Sequence, residues 1–156
     1  MLSPKTIDAH MEAAEVYSKL SHARRLKVGC VVVKNDTIIG IGYNGMPAGW
    51  DNNCEDVFYD EIGTERLKTK PEVLHSESNA LAKICRSTNS SDGATMFITH
   101  SPCLECSKLI HQAGIKWVYY RSSYRDESGI KFLENCGVNV TRIEGDKSCE
   151  CFQMLL

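Results

Sequence analysis

The sequence predicts an α/β fold: a three-layer α/β/α sandwich around a mixed five-stranded sheet, with residues 1–156 forming one domain. Three observations carry this. A β-branched, apolar hairpin lies in the first third of the chain. Helical and strand-like segments alternate after residue 75. The helical segments place their apolar residues at helical spacing. The chain has 156 residues, 42% of them hydrophobic, which suffices for a buried core without staples.

The elements follow in order. Ser3 and Pro4 read as a helix N-cap and first helical position. Ile7, Met11, Ala14 and Leu20 then share one face, and this helix is expected to end near Leu20. Val28-Gly29-Cys30-Val31-Val32-Val33 reads as a buried strand, Asn35-Asp36 as a two-residue turn, and Thr37 to Ile41 as the returning strand. Residues 43 to 74 read as irregular, with Gly45, Pro47, Gly49, Gly63 and Pro71 among polar residues. A loop of that length in a compact domain is usually functional or mobile, and a short helix is expected around Val57 to Ile62.

Regularity returns at His75. His75 to Cys85 is a helix carrying Ala80, Leu81 and Ile84, and Ala94 to Thr99 a strand. Ser101-Pro102 repeats the cap-then-proline start, Cys103 to Ala113 is a helix, and Gly114 ends it. Ile115 to Tyr120 is a strand, Asp126 to Cys136 a helix, and Val138 to Ile143 the last strand. The tail from Glu144 is too short for a second domain.

A net charge of −2 gives no polyelectrolyte signal, so no polynucleotide partner is expected. No apolar run approaches the roughly 20 residues that span a bilayer. The start, Met1 to Lys5, lacks a signal-peptide pattern. No membrane association and a cytoplasmic location are the resulting expectations. Eight cysteines in that setting read as small buried hydrophobes with metal ligands among them.

The strongest signal is His75-Ser76-Glu77 followed by Pro102-Cys103-Leu104-Glu105-Cys106. This is the H-x-E…P-C-x-x-C pattern of zinc deaminases acting on nucleobases. Cys103 and Cys106 lie three apart at a helix start, where their sulfurs converge and the helix dipole favours thiolates. His75 supplies a third ligand, and the fourth position stays open for water, as a catalytic zinc requires. Zinc brings the pKa of such a water to about 7. Glu77 is close enough to take its proton, deliver it to ring N3, and later protonate the departing ammonia, while the activated water attacks C4 of cytosine. Taken singly, Cys-x-x-Cys also suits a redox pair or half a structural zinc site, and His75 a surface cap. Two other readings stay open: a deaminase of another base, such as adenosine in tRNA, and a non-catalytic zinc module for interactions.

At these residues the sequence resembles the cytidine and deoxycytidylate deaminase superfamily. The closer match is to its deoxycytidylate branch. It is carried by Val28 to Val33, by Gly40-Ile41-Gly42-Tyr43-Asn44-Gly45-Met46-Pro47-Ala48-Gly49, and by Ser101 to Cys106 continuing through Gln112-Ala113-Gly114-Ile115. The likeness runs from about Ala14 to Val140. It implies the α/β/α deaminase sandwich and conversion of dCMP to dUMP, feeding dTTP synthesis. It further implies a homohexamer activated by dCTP and inhibited by dTTP, with Mg²⁺ accompanying the triphosphate.

The resemblance assigns an effector site to the Gly42-Tyr43-Asn44-Gly45 loop, which otherwise reads as a plain turn. It gives Asn44 a contact with the sugar hydroxyl, where the bland alternative is a turn asparagine. Ser21, Arg24, Arg25 and Lys27 cluster before the first strand, and Tyr124 and Arg125 follow the fourth. The resemblance places phosphate contacts near Arg24 and Tyr124, with Ser21 a further substrate-binding candidate; the alternative for such a charge cluster is a solvated face. Ser76 stands where relatives often have Ala. His100 stands where they often have an apolar residue, and it either contacts the base region or faces solvent. Some phage relatives carry a second, structural zinc. Cys54 lies in the corresponding region without convincing partners, and Cys149 and Cys151 receive no metal.

Overall fold

The computed structural model describes residues 2–124 and 126–144. Arg125, Cys149 and Cys151 therefore lie outside the described residues.

Helix α1 (Pro4–Ser18) is capped by Ser3, whose hydroxyl accepts from the Thr6 N–H at 3.2 Å, with Pro4 in the first turn. Strands β1 (Gly29–Lys34) and β2 (Thr37–Tyr43) form the expected hairpin. Its turn residues Asn35 and Asp36 both have positive φ, 50° and 56°, as a tight hairpin turn demands. Helix α2 (Ser76–Cys85), β5 (Thr95–His100), α3 (Leu104–Gln112), β6 (Trp117–Ser122), α4 (Ser128–Asn135) and β7 (Asn139–Arg142) complete the alternation.

The five main strands are ordered β2-β1-β5-β6-β7. β1 runs antiparallel to both β2 and β5, whereas β5, β6 and β7 run parallel to one another, so the sheet is mixed as expected. Alternation along β1 divides the core. Val31 and Val33 face Met11, Ala14 and Phe97 beneath α1. Cys30 and Val32 face Ala80, Leu81, Ile84, Ile110 and Leu133 beneath α2, α3 and α4.

Two glycines on neighbouring strands set how closely the layers meet. A Cβ on Gly29 would collide with the Ala14 carbonyl of α1, and one on Gly42 with the Ser76 carbonyl of α2. Cys30 pairs with Gly42 across the hairpin, so the first turn of α2 rests directly on the sheet there.

The central region corrects the sequence reading. It holds a second antiparallel hairpin, β3 (Glu55–Tyr59) and β4 (Glu65–Thr69), with no helix around Val57 to Ile62. Val57, Phe58 and Tyr59 favour strand. Asp60 closes the turn: its Oδ1 accepts from the N–H groups of Ile62 at 3.2 Å and Thr64 at 2.8 Å, and Gly63 takes φ 77°. The predicted helices at 75–85 and 103–113 each begin one residue later, because His75 and Cys103 are the caps. β6 begins at Trp117, after the turn that Gly114 makes with φ 75°.

Candidate active site

The start of β1 and the end of β5 meet at one edge of the sheet, because these strands are antiparallel. The Thr99 hydroxyl accepts from the Gly29 N–H at 3.1 Å across that seam. The chain then leaves β5 through His100, Ser101 and Pro102 to the N-terminus of α3. The N-terminus of α2 opens onto the same place.

Both helix caps carry a metal-type ligand. His75 and Cys103 have extended backbones, with ψ of 155° and 168°, so their side chains swing off the helix axes. His75 Nδ1 lies 3.5 Å from Cys103 Sγ and 3.5 Å from Cys106 Sγ, and the three ligand atoms lie within 4.8 Å of one another. A tetrahedral zinc, with bonds of about 2.3 Å to sulfur and about 2.0 Å to nitrogen, sets its ligand atoms about 3.5 Å apart. The observed spacing fits that ion. Among the described residues this is the one such cluster of His, Cys, Asp or Glu.

The electrostatics suit a cation. A hydrogen bond from Cys106, helped by His75 and by the Cys106 N–H at 3.5 Å, holds the Cys103 thiol well below its ordinary range. The same contact, together with burial, pushes the Cys106 thiol up. Contact with Cys103 raises His75. A dication held by these three side chains would take the place of the thiol protons.

Glu77 is 4% exposed, in the first turn of α2. Burial raises its pKa, against the lowering effect of a hydrogen bond that Ser76 Oγ donates to its Oε2 at 2.8 Å. Such a carboxyl is suited to take a proton and return it.

The zinc-binding region of the cytidine and deoxycytidylate deaminases matches residues 4–122. The chain belongs to this deaminase family. Among solved structures, the dCMP deaminase of cyanophage S-TIM5 in complex with dCMP and dUMP is 46% identical. It matches with a TM-score of 0.82, covering 92% of this chain and all of that one. ComE operon protein 2 of Bacillus subtilis is 35% identical over 88% of this chain and 70% of its own length. The deoxycytidylate deaminase of Enterobacteria phage T4 is 31% identical over 85% and 87%.

The deaminase has a cavity of about 430 Å³ at this site, lined by His75, Glu77 and Cys103. Asn44 and Tyr124 also line it. The Asn44 amide is already committed on one side. Its Oδ1 accepts from the Val28 N–H at 2.8 Å and its Nδ2 donates to the Leu26 carbonyl at 2.8 Å. One lone pair and one N–H remain for a ligand. Tyr124 is held by its N–H, which donates to the Ser101 hydroxyl at 2.7 Å.

Ser21 and Arg24 are not brought to the cavity wall. Ser21 is 2% exposed, and its hydroxyl donates to the Asn44 carbonyl at 2.8 Å. Arg24 directs its Nε toward Glu55 Oε2 at 3.8 Å. The neighbouring Arg25 lines the cavity instead. Within the expected effector loop, Gly42 faces α2, Tyr43 stacks beneath Lys83 Nζ at 5.2 Å from its ring centre, and Gly45 has open space around it.

His100 lines the cavity rather than facing solvent, and burial lowers its pKa, which favours the neutral imidazole. Cys54 is buried, with its thiol 3.5 Å from the Asn52 carbonyl and no metal-type partners among the described residues. Sequence reasoning missed Glu55, Thr69 and Asp126 as cavity residues. Ser76 has a contact that its small size alone did not suggest.

Proposed function

We propose that this deaminase converts dCMP to dUMP and ammonia. The observation that carries the reading is a buried carboxyl, Glu77, beside the His75/Cys103/Cys106 set, in a cavity also lined by Arg25, Asn44 and Tyr124. The cyanophage structure described with dCMP and dUMP, and the relatives named deoxycytidylate deaminase, support it.

His75, Cys103 and Cys106 would hold a zinc ion, whose Lewis acidity would make a water molecule nucleophilic at neutral pH. Glu77 accepts the proton of that water and hands it to ring N3. It later carries a second proton to the amino nitrogen as the C4–N bond breaks and ammonia leaves. Asn44 meets a sugar hydroxyl with its remaining donor and acceptor. Arg25 and Tyr124 receive the phosphate, which moves the expected contact from Arg24 to its neighbour. Ser21 and Arg24 hold the segment that carries Arg25.

The same reading includes activation by dCTP and inhibition by dTTP, each with Mg²⁺, at the Gly42–Gly45 loop of a homohexamer in the cytoplasm. It rests on the resemblance of that loop to the family, and the open space at Gly45 is compatible with a close approach by phosphate. Among the described residues no helix is long and apolar enough to cross a membrane.

The test follows ammonia release and the ultraviolet change with dCMP, cytidine and dCTP in parallel, each with and without dCTP as effector and Mg²⁺. Preferential turnover of dCMP is expected, with loss of about 10²-fold or more in Glu77→Gln at unchanged zinc content. Full turnover in that variant removes the mechanism. Zinc-loaded protein that turns over none of the three removes the substrate.

A further inference from the structure

The β3–β4 hairpin reaches the cavity only through its base, and that base grips Arg25 from two directions while also holding Arg24. Glu55 opens β3, Thr69 closes β4, and the two are cross-strand partners. Both line the cavity together with Arg25. Glu55 Oε1 accepts from the backbone N–H groups of Arg24 at 3.0 Å and Arg25 at 3.1 Å. Thr69 Oγ1 accepts from the Arg25 guanidinium Nη1 at 3.1 Å. One residue pair therefore fixes Arg25 at both ends, main chain and side-chain tip.

A buried carboxylate in this position costs desolvation energy and needs a reason. Glu55 is 1% exposed, and its Oε2, 3.8 Å from the Arg24 Nε, accepts no hydrogen bond. A core built for stability alone gains more from an apolar side chain here. What the carboxylate supplies is a double anchor for consecutive N–H groups that no β-ladder satisfies. An arginine side chain otherwise loses much rotamer freedom when it meets an anion. Tying down both ends beforehand lowers that loss on binding.

We infer that Glu55 and Thr69 are positioning residues that pre-set Arg25 to receive the substrate's phosphate, which makes the hairpin base a monophosphate-recognition clamp. This inference rests on the proposed dCMP activity. Neither residue touches the reacting atoms, and each acts through Arg25. Specificity for the nucleotide over the nucleoside is then set in part by a hairpin outside the catalytic helices.

The readout is the ratio of kcat/KM for dCMP to kcat/KM for deoxycytidine, which lacks the phosphate. Thr69→Val keeps the shape of the side chain and removes the acceptor. It is expected to lower the ratio about fivefold through KM for dCMP, with little change in kcat. Glu55→Ala is expected to lower it further, and Glu55→Gln, whose carbonyl still accepts both N–H groups, to restore most of it. Arg66→Ala, in an exposed pair with Asp60 on the same hairpin, serves as the control and is expected to leave the ratio unchanged. If Thr69→Val folds, keeps its zinc and has a wild-type ratio, the clamp is overturned. The same holds if Thr69→Val loses kcat equally on both substrates. Absence of dCMP turnover by the unmodified protein would instead remove the proposed function, so the two failures are distinct.

Discussion

The Ser76 hydroxyl donates to Glu77 Oε2 at 2.8 Å, and both residues are buried. The bond favours the ionised carboxylate and opposes the upward push of burial. Replacing Ser76 by Ala removes the lowering influence, so the Glu77 pKa rises further. The acid limb of the kcat/KM profile for dCMP is expected to move to higher pH, with kcat at neutral pH down about threefold to tenfold. A profile superimposable on that of the unmodified protein would show that the hydroxyl does not tune Glu77.

Removing the metal exposes a reactive thiol. Cys103 is only partly buried, and its contacts hold its thiol well below the ordinary range, whereas Cys106 is pushed the other way. After chelation, iodoacetamide at pH 7 is expected to modify Cys103 first, ahead of the exposed Cys85. Added zinc is expected to protect Cys103. Peptide mapping that finds Cys85 modified first, or no protection by zinc, contradicts the assignment.

Gly42 is the point on which α2 rests. Gly42→Ala forces the added methyl group against the Ser76 carbonyl, backbone that has no room to yield. The expected loss is about 1–3 kcal/mol, visible as a lower thermal midpoint. Gly45→Ala meets nothing within 4 Å and is expected to be close to neutral in stability. Equal midpoints for the two variants would mean that the contact carries no cost.

The sheet, its flanking helices and the ligand set were legible because each is written locally. Caps, β-branched runs and short spacings mark them within a few residues of sequence. The β3–β4 hairpin was not legible. Val57, Phe58 and Tyr59 are all exposed, so no buried face imprints an alternation on β3. The Asp60 turn was its one local mark. The choice between Arg24 and Arg25 was equally hidden: adjacent cations look alike in sequence, and an acid thirty residues downstream decides which one turns inward. Glu55 itself gave no signal, because a lone acid ordinarily belongs to the solvated surface.

The cavity beside the antiparallel seam between β1 and β5 is walled by two kinds of framework. One is made of the starts of α2 and α3, the first of them seated on Gly42 with no room for a Cβ. The other is made of connecting segments and a hairpin whose outer residues, such as Ile62 at 86% exposure, stand in solvent. The tightly seated part holds what every base-deaminating reaction of this type requires. On the proposed reading, the loosely framed part selects the molecule that is admitted. A change of clientele can therefore be drafted in the connecting segments, residue by residue, without reopening the chemistry.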